Sequence, residues 1–318
     1  MTMIIDGHFI PTTKVLSITE YASAMNTVGD ERKSEAVVGL LLVNKIRELP
    51  STAINSILVS SSCKIVIGYI HEQDLEGLPK SDRIVFQKLD LADIGVPLLN
   101  SDSDGYSGWF TENFFRIVQL KWTLIENLLN QQYETVLYSD LDVVWLSDMA
   151  HHMDIYFNKF SEVDAAFQSF TYDPANPKLC MGFVAFRNTD QVKDLINQGH
   201  QLHSKMLLVD HRFGDDDAIT ALYQELNYPS WMRELPQTSV AVGSTININT
   251  KRSKFPGLTG LQPHLFHANF AVGELNKRLL IRLSLPSEMR RALGIPLSFK
   301  WQSILLGKKV KFLLSRIL

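Results

Sequence analysis

Apolar and polar positions follow two different periodicities along the first half of the chain. Short apolar runs predict β-strands at residues 14–19, 64–70, 83–91 and 135–142. Longer stretches, with apolar residues three and four positions apart, predict helices at residues 34–49 and 113–130. Strands that alternate with helices are typical of βαβ units. The pattern therefore predicts an α/β fold with a mostly parallel sheet and helices on both faces.

The second half continues this pattern and adds a long polar stretch. Residues 163–170 and 180–188 predict two further strands, and residues 216–226 predict a helix. Residues 240–262 show little periodicity and contain many turn-forming residues. A loop of that length within a compact domain is usually a lid or a binding loop.

The segment from Pro286 onward differs from the rest of the chain in its charge. It contains seven Lys or Arg residues against the single acid Glu288, and large apolar residues are interleaved with them. A basic amphipathic helix at an anionic membrane surface would have this composition. A C-terminal helix that packs on the core would also have this composition. We predict one domain over residues 1–285 and a separate tail over residues 286–318.

Composition narrows the function without identifying it. The chain has 318 residues, of which 45% are hydrophobic and 20% charged, and its formal net charge is −3. This balance gives no argument for nucleic-acid binding. The two cysteines do not indicate a disulfide scaffold, and the N-terminus does not resemble a signal peptide. We therefore expect a cytoplasmic protein, or one held at the inner face of a membrane by its basic tail.

Two acidic residues interrupt the apolar run at residues 135–145. Asp140 and Asp142 flank one leucine there, and buried carboxylates are costly unless a cation or hydrogen bonds compensate them. In an extended segment, residues two apart project to the same side, and α/β sheets bind ligands at the carboxyl ends of their strands. Paired carboxylates suit Mg²⁺ or Mn²⁺, which commonly bridge to substrate phosphates.

The context of this D-x-D pair is more informative than its spacing. The same spacing occurs in the polar loop NSDSDGYSG and in GDDDAI, where acids at a helix start cap free N–H groups. A haloacid-dehalogenase-type phosphatase would use Asp140 as its nucleophile and Asp142 as its general acid. That class also needs a later acidic pair after an apolar strand, whereas GDDDAI opens a helix. The other candidate class binds a nucleotide-sugar diphosphate through a metal ion.

Four blocks of the sequence together resemble the nucleotide-diphospho-sugar transferase family. In order, they are FFRIVQLKWTLIENLLNQQYETVLYSDLDVVWL, CMGFVAFRN, GDDDAITALY and HLFHANFAVGELNKRLL, and the resemblance covers residues 14–283. It implies a GT-A glycosyltransferase fold near the retaining families 77 and 8. It also implies a Mn²⁺-dependent or Mg²⁺-dependent transfer of a sugar, with retention, from a nucleotide diphosphate donor that is most often a UDP-sugar. The acceptor would be a glycan or a lipid-linked molecule.

The resemblance also assigns roles around the metal. Asp140 and Asp142 would be metal ligands, with His267 as the third ligand through its neutral imidazole. Within the pattern HANFAVG, Asn269 and Gly273 would contact the donor, because a glycine lets the backbone approach the diphosphate. Lys277 would neutralise the diphosphate and the leaving group.

Further donor contacts would lie on both sides of the acidic pair. Arg116 and Lys121, on the helix before it, would reach the nucleotide or the sugar, although a salt bridge within the helix is an equal alternative. Thr19 and Tyr21 would hold the base and the ribose. Gly182 would allow close approach of the sugar. The family commonly has Asn, Ser or Thr just before that glycine, but a methionine precedes it here, so the preferred sugar is not indicated.

The acidic run GDDDAI would supply the remaining catalytic groups. Asp216 aligns with the acid that binds the donor sugar or the acceptor, and Asp217 falls where the family often has Gln. Either acid could act as a nucleophile in double displacement or stabilise an oxocarbenium-like state. Front-face attack assisted by the leaving phosphate is the other route to retention. A non-catalytic protein that binds a nucleotide sugar remains a further alternative.

Overall fold

A seven-stranded sheet forms the centre of the computed structural model. The structure describes residues 4–5, 8–9, 35–43, 48–94, 111–131, 133–170, 177–237, 239–242, 263–269, 277–278, 281 and 293. The strands are β1 (Ile4–Ile5), β2 (His8–Phe9), β3 (Ala36–Leu42), β4 (Lys64–Tyr69), β5 (Ile84–Lys88), β6 (Thr135–Ser139), β7 (Val143–Trp145), β8 (Ala165–Ser169), β9 (Leu179–Arg187), β10 (Met232–Leu235), β11 (Val240–Val242) and β12 (Leu265–His267). The α-helices are α1 (Glu48–Ser60), α2 (Glu112–Val118), α3 (Leu120–Leu129), α4 (Met149–Lys159), α5 (Asp190–Leu207) and α6 (Asp215–Glu225), and short 3₁₀ helices span Glu72–Leu75 and Leu91–Ile94.

The strand order of the large sheet is β10-β8-β9-β6-β3-β4-β5. Within this sheet β9 runs antiparallel to both of its neighbours, while the other adjacent strands pair in parallel. This confirms the predicted α/β class with a mostly parallel sheet. None of the helices in the described part of the chain is long and apolar enough to span a lipid bilayer.

Both faces of the sheet are covered by apolar packing. Along β3, Val37 and Leu41 lie in one buried cluster, which includes side chains of α3, α5 and α6. Val38 and Leu40 lie in the opposite cluster, which includes side chains of α1 and α4. Alternate residues of a strand project to opposite faces, so a strand that is buried on both faces must be apolar at nearly every position.

This burial explains why the predicted helix at residues 34–49 is wrong. The segment contains strand β3, and the helix there begins only at Glu48. A strand that is apolar on both faces lacks the alternation that marks a half-buried strand, so periodicity alone does not distinguish it from a buried helix. Gly39 supports the strand: a Cβ atom at this position would lie 2.7 Å from Cδ1 of Leu128 in α3.

Most other predicted elements are confirmed, with one division. The strands predicted at residues 64–70, 83–91, 135–142, 163–170 and 180–188 correspond to β4, β5, β6, β8 and β9. The helix predicted at residues 113–130 is two helices, α2 and α3, which are separated at Gln119. The hydroxyl of Thr111 caps α2 by accepting a hydrogen bond from the Phe114 N–H.

A second, three-stranded sheet was not predicted, and it positions the site. Its order is β11-β12-β7, with β12 antiparallel to β7, so His267 pairs with Val143 directly after the acidic pair. The strand predicted at residues 14–19 lies outside the described residues, as do residues 243–262. The tail at residues 286–318 also lies outside them apart from Leu293. The division of the chain at residue 285 therefore stays a prediction.

Folding stability should fall in mild acid because of His203 in α5. This residue is fully buried, and its Nδ1 accepts a hydrogen bond from Trp122 Nε1 at 3.0 Å. Burial lowers the pKa of His203 from 6.5 to about 4, so between these values the unfolded chain binds a proton that the native protein excludes. The unfolding free energy of wild type should fall between pH 7 and pH 5 by about 2 kcal/mol more than that of His203→Gln. Urea denaturation at both pH values measures this, and equal losses would contradict it.

Candidate active site

The turn that follows β6 brings the two aspartates of the D-x-D pair together. The Asp140 N–H donates to the Gly182 carbonyl at 2.8 Å, and the Val143 N–H donates back to the Asp140 carbonyl at 3.1 Å. The second bond closes a turn through Asp142. The two acids therefore converge at the carboxyl end of β6 as predicted, although they do so through a turn and not through an extended segment.

His267, at the end of β12, completes a three-residue cluster. The Ala268 N–H donates to the Asp142 carbonyl at 2.9 Å and so fixes β12 against the turn. The imidazole Nε2 of His267 lies 3.1 Å from Oδ1 of Asp142. One potential ligand atom from each of Asp140, Asp142 and His267 lies within 4.8 Å of the others. These atoms are close enough to share a single ion.

The donor set fits Mn²⁺ or Mg²⁺, and the hydrogen bond at Nδ1 of His267 supports this. Gln168, a fully buried residue of β8, has its Oε1 2.7 Å from His267 Nδ1, while its amide nitrogen donates to the Ala241 carbonyl at 3.4 Å. An amide oxygen only accepts, so Nδ1 donates to it, and Nε2, which faces Asp142, is the ring nitrogen left to bind an ion. Metal-binding histidines commonly have this outer hydrogen bond, and two carboxylates with one imidazole suit these ions.

Two lysines compensate the carboxylates. Lys121 is 4% exposed, and its Nζ lies 3.2 Å from Asp140 Oδ1 and 2.6 Å from Asp215 Oδ2. Lys277 Nζ lies 2.5 Å from Asp142 Oδ2. The ion pairs of Lys121 join α3 to the D-x-D turn and to α6. They are therefore not the salt bridge within one helix that was the alternative for this residue.

These contacts set the charge states in the site. Burial by itself raises the pKa of Asp142, but Lys277 and His267 overcome this effect and hold the pKa well below its usual range. Burial tends to lower the pKa of Lys121, yet Asp140 and Asp215 raise it well above its ordinary value. Lys121 and Asp142 therefore stay charged across the physiological range. Partial burial raises the pKa of Asp140 against the opposing charge of Lys121.

Gly182 makes room for the imidazole of His267. A Cβ atom at this position would lie 2.1 Å from Cε1 of His267, which is far inside van der Waals contact. Any other residue there would have to displace the imidazole. The structure thus gives this glycine a role in the packing of His267 beside Asp142, while its predicted role in close approach of the sugar stays a prediction.

The first two acids of the run at the start of α6 face the site. Asp215 holds Lys121, as described above. The side chain of Asp216 accepts a hydrogen bond from the Met181 N–H on β9 at 2.6 Å. Burial and the neighbouring Asp215 raise the pKa of Asp216 to about 8. This carboxyl is therefore mostly protonated at neutral pH.

The third acid of the run serves the helix end. Oδ2 of Asp217 accepts a hydrogen bond from the Gly214 N–H at 3.1 Å, which caps α6. Its other carboxylate oxygen lies 3.0 Å from Nζ of Lys178. The capping role considered for this acidic run therefore applies to Asp217.

Most of the predicted site residues that the structure describes gather around the D-x-D turn: Lys121, Asp140, Asp142, Gly182, Asp216, His267 and Lys277. Arg116 lies in the last turn of α2, and Asn269 follows His267 by two positions. Thr19, Tyr21 and Gly273 lie outside the described residues.

Three further polar residues of the site were not among the predicted ones. Gln168 and Asp215 have the contacts given above, and the Tyr138 hydroxyl donates to Asp140 Oδ1 at 2.9 Å. A glutamine within the apolar strand AAFQS was a signal for the first. A tyrosine in the apolar run, two positions before Asp140, was a signal for the last.

Comparison with known proteins agrees with the resemblance in the sequence. Residues 81–281 match the sequence model of the nucleotide-diphospho-sugar transferase family. A search of the curated proteins gave no significant match.

Three solved glycosyltransferase structures are distantly similar to this chain. Apo mouse xyloside xylosyltransferase 1 has a TM-score of 0.47 and 10% identity, over 76% of this chain and 99% of that chain. The apo bifunctional glycosyltransferase WbbM has a TM-score of 0.45 and 12% identity, over 85% of this chain and 53% of that chain. GlyE of Streptococcus pneumoniae TIGR4 has a TM-score of 0.48 and 16% identity, over 86% of this chain and 64% of that chain. These likenesses are too distant to support a functional conclusion.

Replacing Gly182 by Ala should weaken metal binding through the displaced His267 ring. The affinity for Mn²⁺, measured by calorimetric titration, should fall about tenfold or more while the circular dichroism spectrum is unchanged. In a His267→Ala background the same replacement should have little further effect, because the ring that it displaces is gone. Additive losses in the two backgrounds would contradict this explanation.

Replacing Gln168 by Leu should weaken Mn²⁺ binding by about 10-fold to 100-fold, because His267 then loses the acceptor that fixes its tautomer. Gln168→Glu is the comparison variant: it loses the donor to the Ala241 carbonyl but retains an acceptor for His267 Nδ1, so its affinity should fall less than that of the Leu variant. Equal affinities of the Leu and Glu variants would show that Gln168 does not orient the ring. Thermal unfolding of both variants tests whether the fold is retained.

Proposed function

This chain belongs to the nucleotide-diphospho-sugar transferase family, and from that premise we propose a metal-dependent retaining glycosyltransferase that uses a UDP-sugar. The observation that carries the proposal is the convergence of Asp140, Asp142 and His267 beside Lys277. A diphosphate needs cationic partners, and this cluster combines an ion-binding set with an ammonium group. The transferred sugar, a hexose or a pentose, is left open.

The residues divide the work of binding and activating the donor. Asp140, Asp142 and His267 would hold Mn²⁺ or Mg²⁺, which supplies positive charge against the diphosphate when bound. Lys277, which pairs with Asp142, would stabilise the charge that builds on the departing phosphate. One well-placed group of this kind lowers the barrier by about 3–4 kcal/mol.

Lys121 and Asp215 have a different part in the proposed reaction. Lys121 remains charged and buried between two carboxylates, so it holds Asp140 in place for ion binding. Because it also donates to the Met181 carbonyl at 3.4 Å, it fixes β9 against the site. Donor contacts by Arg116, Asn269, Thr19, Tyr21 and Gly273 belong to the same proposal through the family resemblance.

Within this proposal, retention by front-face attack is preferred to double displacement because of the charge state of Asp216 and the partners of Asp217. The bond between the anomeric carbon and the phosphate oxygen breaks with its electrons passing to the phosphate. The acceptor hydroxyl then attacks from the same face and gives its proton to the leaving group. Double displacement needs an ionised nucleophile, but the raised pKa keeps Asp216 largely protonated at neutral pH. Asp217 forms an ion pair with Lys178 and caps α6.

The phosphatase alternative loses support. The family match identifies a transferase, and the later acidic run opens helix α6 and does not follow an apolar strand. The acceptor, a glycan or a lipid-linked molecule, and the cytoplasmic location are part of the proposal.

Calorimetric titration of UDP and of GDP, each with Mn²⁺ and with a chelator, tests the proposal. Wild type should bind UDP only with Mn²⁺, and Asp142→Ala should lose about 100-fold or more in affinity. Asp194→Ala, which removes an exposed acid of α5, is the matched control and should bind as wild type does. Binding of GDP in place of UDP would change the donor alone.

Two further outcomes separate the alternatives. Folded wild type that shows no metal-dependent binding of either nucleotide would overturn the proposal. Binding without UDP release from any UDP-sugar, tested across hexose and pentose donors with sugar acceptors, would favour the non-catalytic nucleotide-sugar-binding protein.

A further inference from the structure

Two neighbouring apolar side chains project into solvent at the end of α5. Leu208 is 78% exposed and Val209 is 82% exposed. The next most exposed large apolar residue in the described part of the chain, Val59, is 53% exposed. Single exposed apolar residues are ordinary on a protein surface, but an adjacent pair exposed to this extent needs an explanation.

The pair lies on a hydrogen-bonded turn at residues 208–213, which we call the 208–213 turn. The N–H groups of Val209 and Asp210 donate to the Met206 carbonyl at 2.9 and 2.8 Å, and the Phe213 N–H donates to the Asp210 carbonyl at 3.0 Å. Phe213 is half-buried and packs against the core. The turn is therefore anchored at both ends, and it presents the apolar pair in a defined position.

Two basic residues flank the apolar pair. Lys205 and Arg212 are exposed on either side of it, and the acid of the turn, Asp210, accepts a hydrogen bond from the Arg212 N–H at 2.9 Å. Exposed apolar side chains flanked by basic residues are suited to bind a bilayer that carries anionic lipids. The apolar side chains of the turn would enter the interface while the cations remain among the headgroups.

The 208–213 turn leads directly into the candidate active site. The chain passes from Phe213 through Gly214 to Asp215, which holds Lys121, and to Asp216, which meets β9. Five residues lie between Val209 and Asp215, so their Cα atoms are at most about 22 Å apart. A membrane that contacts the tip would therefore lie close to the site.

We infer that the 208–213 turn docks this protein on an anionic lipid bilayer and that its acceptor is anchored in that bilayer. The second part rests on the proposed glycosyltransferase function, whereas the first does not. The apolar pair supplies insertion, and the basic residues select anionic lipid. The short connection to α6 sets the distance between the bilayer and the reacting groups.

Vesicle flotation of the full chain tests the docking. Wild type should bind phosphatidylcholine vesicles that contain phosphatidylglycerol and bind pure phosphatidylcholine vesicles weakly. Leu208→Ser/Val209→Ser should reduce binding about tenfold or more. Val59→Ser/Leu226→Ser is the matched control, because it removes two exposed apolar side chains elsewhere and should bind as wild type does. The basic tail is present in all these proteins, so it does not account for a difference between them.

A fluorescent label shows whether the tip itself meets lipid. Cys63 and Cys180 are buried, and burial raises the pKa of both thiols, so a Val209→Cys variant can be labelled selectively. An environment-sensitive dye at position 209 should shift to shorter wavelength on anionic vesicles. The same dye on Val59→Cys should not shift.

Each result decides one part of the inference. Equal vesicle binding by the two double variants, or no shift at position 209, would overturn docking by the turn. Equal binding of wild type to neutral and anionic vesicles would overturn the selection for anionic lipid. Mn²⁺-dependent UDP binding is measured on the same samples. If docking holds while wild type binds no nucleotide, the proposed function and the acceptor fail, and the docking stands.

Discussion

Compensation of buried negative charge is the constraint on which the site depends. Asp142 and Asp215 are buried and Asp140 is half-buried, and an unpaired buried carboxylate would be strongly destabilising. Lys121 of α3 and Lys277, which follows β12, form ion pairs with these carboxylates. Each ion pair therefore also joins elements that are distant in the sequence. The carboxylates that could bind a cation thus also form the ion pairs that stabilise the site.

The topology makes this compensation possible. Because β9 runs antiparallel between β6 and β8, its residues at 181–182 lie beside the turn that carries Asp140. The small sheet brings His267 to the same turn from more than a hundred residues further along the chain. A purely parallel sheet without the small sheet would leave the turn with fewer partners.

Sequence reasoning succeeded where a residue had an unusual context and failed where its role depended on distant partners. Asp140 and Asp142 interrupt an apolar run, so they were identifiable directly. His267 needed the family pattern around it. Asp215 looked like a simple helix cap, because its partner Lys121 is far away in the sequence. Strand β3 resembled a helix, because burial on both faces removes the period-two signal.

The close packing beneath α3 links the core to the chemistry. Gly39 and Gly68 lie on neighbouring strands, where a Cβ atom would come within 2.7 Å of Leu128 and 3.1 Å of Leu124, respectively. The missing side chains thus set the height at which α3 rests on the sheet, and α3 carries Lys121. The two glycines therefore help to set the position of Lys121 in the candidate active site. A side chain at either strand position would therefore move α3 and, with it, the Lys121 ammonium that pairs with Asp140 and Asp215.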